Sequence, residues 1–418
     1  MKNLRFWKLV FVLSVCVSIN YVNAQKSRFG NPQAEWARAG VILMHTPGQE
    51  LFDGLLHPAA GLFADYFDVD KAAAEHENYI KMLRKNGIKV YTILDILEET
   101  GIDSVRELAS KSMIYNTKKL DKEDAEEAER YRQEVLSKMS RADLIRCIIF
   151  QPTVILYKTG QNTGYEAQYS HVPMTNLHFT RDQSVSTPRG YVICNLNSSQ
   201  RDIESDIIEL CYRHLGQNPI LRISDEGRLE GGDYIPAGTF SLIGCGMRTN
   251  DEGIRQMMAA DAFGHDTVVV VRDHKFWQQE MHLNTYFNII DKDLCTLSES
   301  RLNARPDDPE FLTCDIWTRQ PGTKEYTIQR NRMPFVSFLD ERNFEIIPIG
   351  SEDEEHYANN YLTIAPRHIM AVDGLSKELL NLFSGAGVKV ESVPMDNLVA
   401  GFGAANSLTQ VMKRSLRW

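Results

Sequence analysis

The amino-acid sequence predicts a mixed α/β fold built by repeating one helix-to-strand unit. Three observations carry this expectation. Residues 70–93 run from Asp70 through an apolar helical face of Ala73, His76, Ile80 and Leu83 to Gly87, then into the strand-like Ile88-Lys89-Val90-Tyr91-Thr92-Ile93. Near the C-terminus the plan returns with Leu379, Leu380 and Phe383, then Gly387, then Val388-Lys389-Val390, so Gly-Ile-Lys-Val early in the chain matches Gly-Val-Lys-Val late in it. Two further segments fit the plan: 204–223, ending in Ile220-Leu221-Arg222-Ile223, and 254–272, ending in Val268-Val269-Val270-Val271. Periodicity alone leaves open whether such units form a doubly wound sheet or a radial arrangement.

Composition sets the outer bounds. Of 418 residues, 43% are apolar and 24% charged, which excludes a disordered chain, a collagen and a coiled coil. A net charge of −10 with no Lys/Arg run argues against a nucleic-acid partner. After the first 24 residues no stretch of about 18 apolar residues occurs, so no membrane span is expected there.

In chain order, the first element is a targeting segment. Lys2, Arg5 and Lys8 precede an apolar run from Leu9 to Ile19, and Val22-Asn23-Ala24 places small or apolar residues at a cleavage site. This reads as a secretory signal peptide over 1–24, cut before Gln25, with residues 25–418 exported to a periplasm or secreted. Losing three cations takes the net charge from −10 to −13. The six cysteines left (Cys147, Cys194, Cys211, Cys245, Cys295, Cys314) are widely spaced and form neither CxxC nor a zinc pattern. They read as buried thiols, with one or two disulfides left open, and no metal site is expected.

The first helix-to-strand unit follows, with Asp70 as N-cap and Gly87 as the left-handed residue that ends the helix. Residues 103–147 break the rhythm. Strand signals nearly vanish, and Asp121 to Met139 is rich in Glu, Ala, Lys and Arg, with Ala125, Ala128, Val135 and Met139 on one face. This is a helical insertion whose charge is a solvated face. A second irregular stretch, 300–358, carries Pro306, Pro309, Pro321 and acidic residues 352–355 and reads as an extended connection.

Four places concentrate polar groups among glycine and aromatic residues. They are Asn176-Leu177-His178-Phe179-Thr180-Arg181-Asp182; Glu230-Gly231-Gly232-Asp233; Met281-His282-Leu283-Asn284-Thr285; and Gly401-Phe402-Gly403-Ala404-Ala405-Asn406-Ser407-Leu408-Thr409. Carboxylates, a histidine and a Gly-rich turn in loops beside strands are the usual furniture of an α/β active site. Each also has a bland reading. Asp182 could be a cap or a partner of Arg181, Glu230-Gly-Gly-Asp a solvated turn, His282 a structural histidine, and Gly401 and Gly403 packing devices.

Taken in order, the motifs resemble those of arginine deiminases and their amidinotransferase relatives, the pentein superfamily. The resemblance spans nearly the whole chain after residue 24, from Leu62-Phe63-Ala64-Asp65 with Glu75-His76 to Asn360-Tyr361-Leu362 and Thr409-Gln410. The insertion favours the arginine deiminase branch. The resemblance implies a five-bladed α/β propeller of repeated ββαβ-type units. It implies a hydrolase in which a nucleophile attacks a guanidinium carbon, ammonia leaves and water completes the cycle, with no cofactor. The implied ligand is a guanidino or ureido amino acid; homo-oligomerisation is left open. By the same resemblance Asp182 binds guanidinium nitrogens, Glu230 orients His282 or the substrate, and His282 shuttles protons. Arg201 and Arg248 match positions that hold the substrate's carboxylate. Asn176 and Phe179 match pocket walls, and Arg181 is placed with these binding residues.

Two departures stand out. The family motif His-Leu-Asp-Thr is His282-Leu283-Asn284-Thr285 here, so a clamp charge is lost while an acceptor and a donor remain. The family's Gly-Gly-Gly-x-x-Cys-x-Thr, aligned on Thr409-Gln410, places Ser407 at the nucleophile position, or Asn406 if the register slips by one. No cysteine follows Cys314. A serine hydroxyl needs an adjacent base to react. The alternatives are therefore a hydrolase using Ser407 or a His282-activated water, and a catalytically inactive exported relative that binds arginine or citrulline.

Overall fold

Five sheets, four of three strands and one of five, share one connection plan in the computed structural model, which describes residues 32–416. The signal segment expected over 1–24 lies outside the described residues. In each sheet a first strand pairs antiparallel with a middle strand, and a third strand returns parallel to the middle one across a helix. The first unit joins Gln410–Ser415, Arg38–Met44 and Lys89–Thr92, and the second joins Ser184–Ser186, Tyr191–Ile193 and Leu221–Arg222. The third joins Tyr234–Pro236, Phe240–Cys245 and Thr267–Arg272, widened by the hairpin Thr313–Arg319 and Tyr326–Pro334. The fourth joins Phe287–Asp291, Leu294–Ser298 and Glu345–Ile349; the fifth joins Leu362–Ala365, His368–Val372 and Lys389–Val393. The crossing helices are Val69–Lys85, Glu204–His214, Asp251–Ala259, Phe335–Glu341 and Lys377–Gly385.

Local chemistry explains why these helices start and stop. The side chains of Asp68, Asn250 and Ser376 accept from backbone N–H groups three residues on, at 3.0, 2.9 and 3.1 Å. The cap of the first helix is thus Asp68 and not the expected Asp70, which sits in the first turn, where an acid suits the helix dipole. Gly87 and Gly387 end their helices at φ +77° and +70°, as the sequence predicts.

The first strands and the loops leading into them bond to one another from unit to unit. Gln410 reaches the Ser184 hydroxyl at 2.8 Å, the Gly231 N–H reaches the Asp182 carbonyl at 3.0 Å, and the Leu283 N–H reaches Asp233 at 2.9 Å. The Thr363 hydroxyl reaches the Ile289 carbonyl at 2.8 Å, and Arg414 in the first unit reaches the Thr363 carbonyl at 2.7 Å.

The insertion is helical, with Ile102–Ser112, Lys122–Lys138 and Arg141–Phe150, and its apolar side packs through Val105, Leu108, Leu136, Leu144 and Ile148. It runs beyond residue 147, because Ile114–Asn116, Pro152–Lys158 and Tyr165–His171 form a further small sheet. In Lys122–Lys138 the buried residues are Ala128 and Leu136, while Ala125 and Val135 are half-buried.

Residues 300–358 correct the expected extended connection. They hold the hairpin, the helix Phe335–Glu341 and the strand Glu345–Ile349, hence the crossing and third strand of the fourth unit. Pro306, Pro309 and Pro321 fall in the links, where a missing N–H costs no ladder bond. All six described cysteines are free thiols, five of them buried and Cys245 half-buried. Among the described residues no helix is long and apolar enough to cross a membrane.

Candidate functional site

The polar loops singled out in the sequence occupy equivalent places. Each lies just before the first strand of a unit: Asp182 before Ser184–Ser186, Glu230 before Tyr234–Pro236, His282 before Phe287–Asp291, and Ser407 before Gln410–Ser415. The fifth unit contributes Asn360 before Leu362–Ala365. Residues some fifty positions apart are therefore brought to one end of neighbouring strands.

Asp182, Glu230 and His282 meet there, all buried. His282 Nε2 lies 2.7 Å from Glu230 Oε2, and His282 Nδ1 faces Asp182 Oδ1 at 3.8 Å. The second Glu230 oxygen accepts from the Asn197 N–H at 2.9 Å and stands 3.9 Å from Arg248 Nη1. Burial works against the Glu230 charge, yet the His282 hydrogen bond and the Arg248 and His282 charges hold its carboxyl down at about 2. Burial likewise opposes a charged His282, but Asp182, Glu230 and Asp233 outweigh it and raise its pKa. Asp182 Oδ1 makes no hydrogen bond although it is buried.

Two glycines permit this approach. A β-carbon on Gly231 would stand 2.0 Å from the Arg181 carbonyl oxygen, and one on Gly232 would stand 2.7 Å from the His282 ring. Only a residue without a side chain lets the loop of the third unit pass so close.

Ser407 is buried, and its backbone bonds to the neighbouring loops. Its carbonyl accepts from the Arg181 N–H at 3.1 Å, and its own N–H donates to Asn360 Oδ1 at 3.1 Å. Its hydroxyl lies beside Gly403, 3.0 Å from where a β-carbon there would stand, with the Phe179 ring alongside. Asn284 donates to Asn406 Oδ1 at 2.9 Å, which fixes its amide and leaves its own buried Oδ1 without a partner.

The other expected binding residues divide. Arg201 joins the centre: Nη1 donates to Asp182 Oδ2 at 2.9 Å, and Nη2 donates to Glu204 at 2.9 Å and to the Asn176 carbonyl at 3.3 Å. Burial disfavours its charge, but Glu204 and Asp182 raise its pKa regardless. Arg248 also joins, with Nη2 donating to Gln278 Oε1 at 2.9 Å. Asn176 is a scaffold residue whose amide donates to the Gly61 carbonyl at 2.9 Å. Phe179 packs on His178, ring centroids 4.2 Å apart, and closes against Gly401. Arg181 does not face the centre; its Nε donates to the Asn406 carbonyl at 3.3 Å and its Nη2 lies 3.7 Å from Glu35.

Three residues are given no role by the sequence: Asp233 and Asn360, which stand there only within motifs, and Thr249. Asp233 accepts from the Leu283 N–H at 2.9 Å and the Thr249 hydroxyl at 2.6 Å, and the same hydroxyl accepts from the Glu230 N–H at 3.1 Å. This relay ties the Glu230 loop to the His282 loop. Burial pushes the Asp233 carboxyl up to about 6. Asn360 ties the Ser407 turn to the Asn284 carbonyl, donating to it at 3.0 Å and accepting from the Ala404 N–H at 2.8 Å. The signal that could have revealed Asn360 is positional, since it precedes its strand as His282 precedes its own. Thr249 carries no such signal.

Among the described residues no thiol is poised to react. Burial raises the pKa of every one, to about 11 at Cys245, and thiol reactivity follows the thiolate.

The chain is similar to known proteins along most of its length. A family model described as arginine deiminase matches residues 60–414. The arginine deiminase of Halobacterium salinarum is 25% identical, over 91% of this chain and 96% of its own length. That of Borrelia recurrentis is 26% identical, over 92% and 98%. Among solved structures, a cysteine-to-serine mutant of DDAH from Pseudomonas aeruginosa complexed with citrulline superposes with a TM-score of 0.53 at 19% identity, covering 90% of this chain and 100% of that one. A cysteine-to-serine mutant of the N-terminal domain of ArgZ, an arginine dihydrolase of Cyanobacteria, bound to substrate, gives 0.54 at 14% identity over 90% and 98%. The structural likenesses speak to fold. With the family model running almost end to end through all five units, the chain belongs to the arginine deiminase family.

Proposed function

We propose that the chain is a hydrolase acting on the guanidino group, or the equivalent ureido group, of arginine or a related amino acid. We infer with it that residues 1–24 are removed on export and that the five units close radially as a five-bladed α/β propeller. The radial reading is supported by the bonds that pass from the first unit through the fifth and back to Arg414.

The observation that carries the functional reading is the unpartnered, buried Asp182 Oδ1 facing Nδ1 of a histidine whose other nitrogen is held by Glu230. A planar N–H donor suits that oxygen, through a charge-assisted hydrogen bond stronger than a neutral one. His282 can deliver a proton to a departing nitrogen and recover one from an entering water. The nucleophile adds to the carbon, the carbon–nitrogen bond of the adduct then breaks, and ammonia leaves with the proton; where Ser407 is the nucleophile, water then adds and displaces the serine oxygen, which takes its proton back. Ser407 or a His282-activated water supplies that nucleophile, since burial raises the pKa of every described thiol.

A second reading is an exported relative that binds arginine or citrulline without turnover. It is favoured by the packing of the Ser407 hydroxyl beside Gly403 and Phe179. It is also favoured by the two cysteine-to-serine relatives, one complexed with citrulline and one bound to substrate.

Incubation with arginine, followed by assay of citrulline and ammonia, tests the readings. Turnover that vanishes in Ser407→Ala supports the serine hydrolase. Turnover that survives it points to water. Thermal stabilisation by arginine or citrulline without turnover supports the binder, because a ligand specific to the native state raises its stability. Neither turnover nor stabilisation overturns both.

A further inference from the structure

We propose that the strand Tyr165–His171 is a dimerisation edge, which pairs antiparallel across a two-fold axis with the same strand of a second copy of this chain. The inference does not depend on the guanidino reading, because this strand lies outside the five units. It closes the small sheet that accompanies the helical insertion, pairing with Pro152–Lys158, which pairs in turn with Ile114–Asn116.

Three features leave this edge open. First, the strand runs in unbroken register and carries no proline, lysine or bulge. Those are the devices that keep a free edge from pairing. Second, its outer backbone groups are unused. The Thr159 N–H donates to the Gly164 carbonyl at 3.0 Å, and bonded pairs alternate along an antiparallel ladder. Glu166, Gln168 and Ser170 therefore bond inward, while Tyr165, Ala167, Tyr169 and His171 turn their N–H and C=O groups outward. Among the described residues nothing covers these groups, and the strand is exposed from Glu166 to His171. Third, the middle strand holds the apolar run Val154-Ile155-Leu156-Tyr157, yet none of its residues is buried.

The edge is complementary to itself. With the axis at Gln168, every residue of the strand finds a partner. Ala167 exchanges bonds with the second copy's Tyr169, and Tyr165 with its His171, giving about eight main-chain hydrogen bonds. Tyr169, 79% exposed, gains the small Ala167 as its neighbour, and Glu166 faces Ser170, so no like charges oppose each other. Gln168 meets its own copy, an amide that can both donate and accept.

The helix Lys122–Lys138 matches under the same axis. Lys158 and Tyr165 reach Asp124 at 2.6 and 3.3 Å, and farther along Arg132 donates to the Met113 carbonyl at 2.8 Å. Met113 adjoins Ile114, which stands in line with Ser170 across the sheet. The helix thus follows the strand's direction, and an axis that reverses one reverses the other. Residues 122–129 hold five acids and one lysine, whereas residues 130–138 hold three cations and one acid. Each acidic half then lies toward the other copy's basic half. An unrelated extended peptide would gain the backbone bonds but not this match.

Sedimentation velocity of the purified protein over a wide concentration range should show a reversible monomer–dimer equilibrium. Exchange of the Ala167 and Tyr169 amide hydrogens should slow as the dimer forms. Ala167→Pro removes an outward N–H from each copy and spares the inner ladder. It should raise the dimer dissociation constant at least ~10-fold. Tyr169→Lys, which places a cation on the edge, should also weaken the dimer. Circular dichroism establishes that both variants are folded. A monomer at every concentration overturns the proposal. So does a dimer whose outward amides exchange freely, or one undiminished in folded Ala167→Pro. Protection of those amides in a monomer overturns it too, since another occupant then covers the edge.

Discussion

Nε2 of His282 lies 2.7 Å from Oε2 of Glu230, with both side chains almost wholly excluded from solvent at 1% and 0% exposure. The Glu230 pKa is lowered to about 2 and that of His282 raised, so the pair's charges sustain each other. The depressed carboxyl contributes stability present above its ordinary pKa and lost as pH falls through about 2. The raised imidazole contributes stability that is full below the ordinary histidine pKa and lost as pH climbs through its higher folded value. Replacing Glu230 by Gln removes one cause of the His282 shift. Its titration midpoint, followed by NMR of the ring protons, should move down; a midpoint that stays or rises would show that Glu230 does not set the ring's charge.

Gly232→Ala should damage the site more than the fold. The added β-carbon meets the His282 ring at 2.7 Å, and a shift of the ring strains its hydrogen bond to Glu230. Thermal stabilisation by citrulline should be lost while the melting temperature without ligand falls by a few degrees. Retained stabilisation would mean that the ring has moved without consequence.

Asp233→Ala should destabilise the protein by about 1–3 kcal/mol, the usual penalty for leaving a buried donor unpaired. The donors stranded are the Leu283 N–H and the Thr249 hydroxyl. Urea unfolding at neutral pH measures the change. Asp233→Asn, which keeps an acceptor for Leu283, should recover part of it, and an Asn variant no better than Ala would argue against the relay.

His76 should shape acid stability. It is buried, with Nδ1 3.1 Å from the Thr46 hydroxyl and Nε2 unpartnered, and burial together with the nearby His45 charge lowers its pKa to about 3. Between its ordinary pKa and about 3 the unfolded chain takes up a proton that the native one refuses, so stability declines as pH falls across that window. In His76→Leu that decline should be shallower, as read from unfolding free energies at several pH values. An identical slope would remove His76 from the account.

Much of the local structure was legible in the chain. Gly87 and Gly387 end helices because a left-handed residue is easiest for glycine, and the runs before them carry their apolar faces at helical spacing. Four of the five units could be seen this way. The fourth unit in order escaped, since its crossing helix Phe335–Glu341 has only seven residues and lies among prolines and charges. The short window offers too little periodicity to compete with those breakers.

The site divides along the same line. The residue types, and the order Asp182, Glu230, His282, Ser407, stand in the sequence because each belongs to a compact motif of neighbours. The meeting of Asp182, Glu230 and His282 does not, because it depends on separate units packing against one another through buried long-range hydrogen bonds. That packing also turned Arg181 toward Glu35, joined Arg201 to Asp182, and recruited Asp233, Thr249 and Asn360. Propensity and periodicity act over a few residues and were enough to write the strands, helices and polar loops. Which of the polar atoms share a charge or a proton is settled by burial and distance, and these exist only once the units have packed.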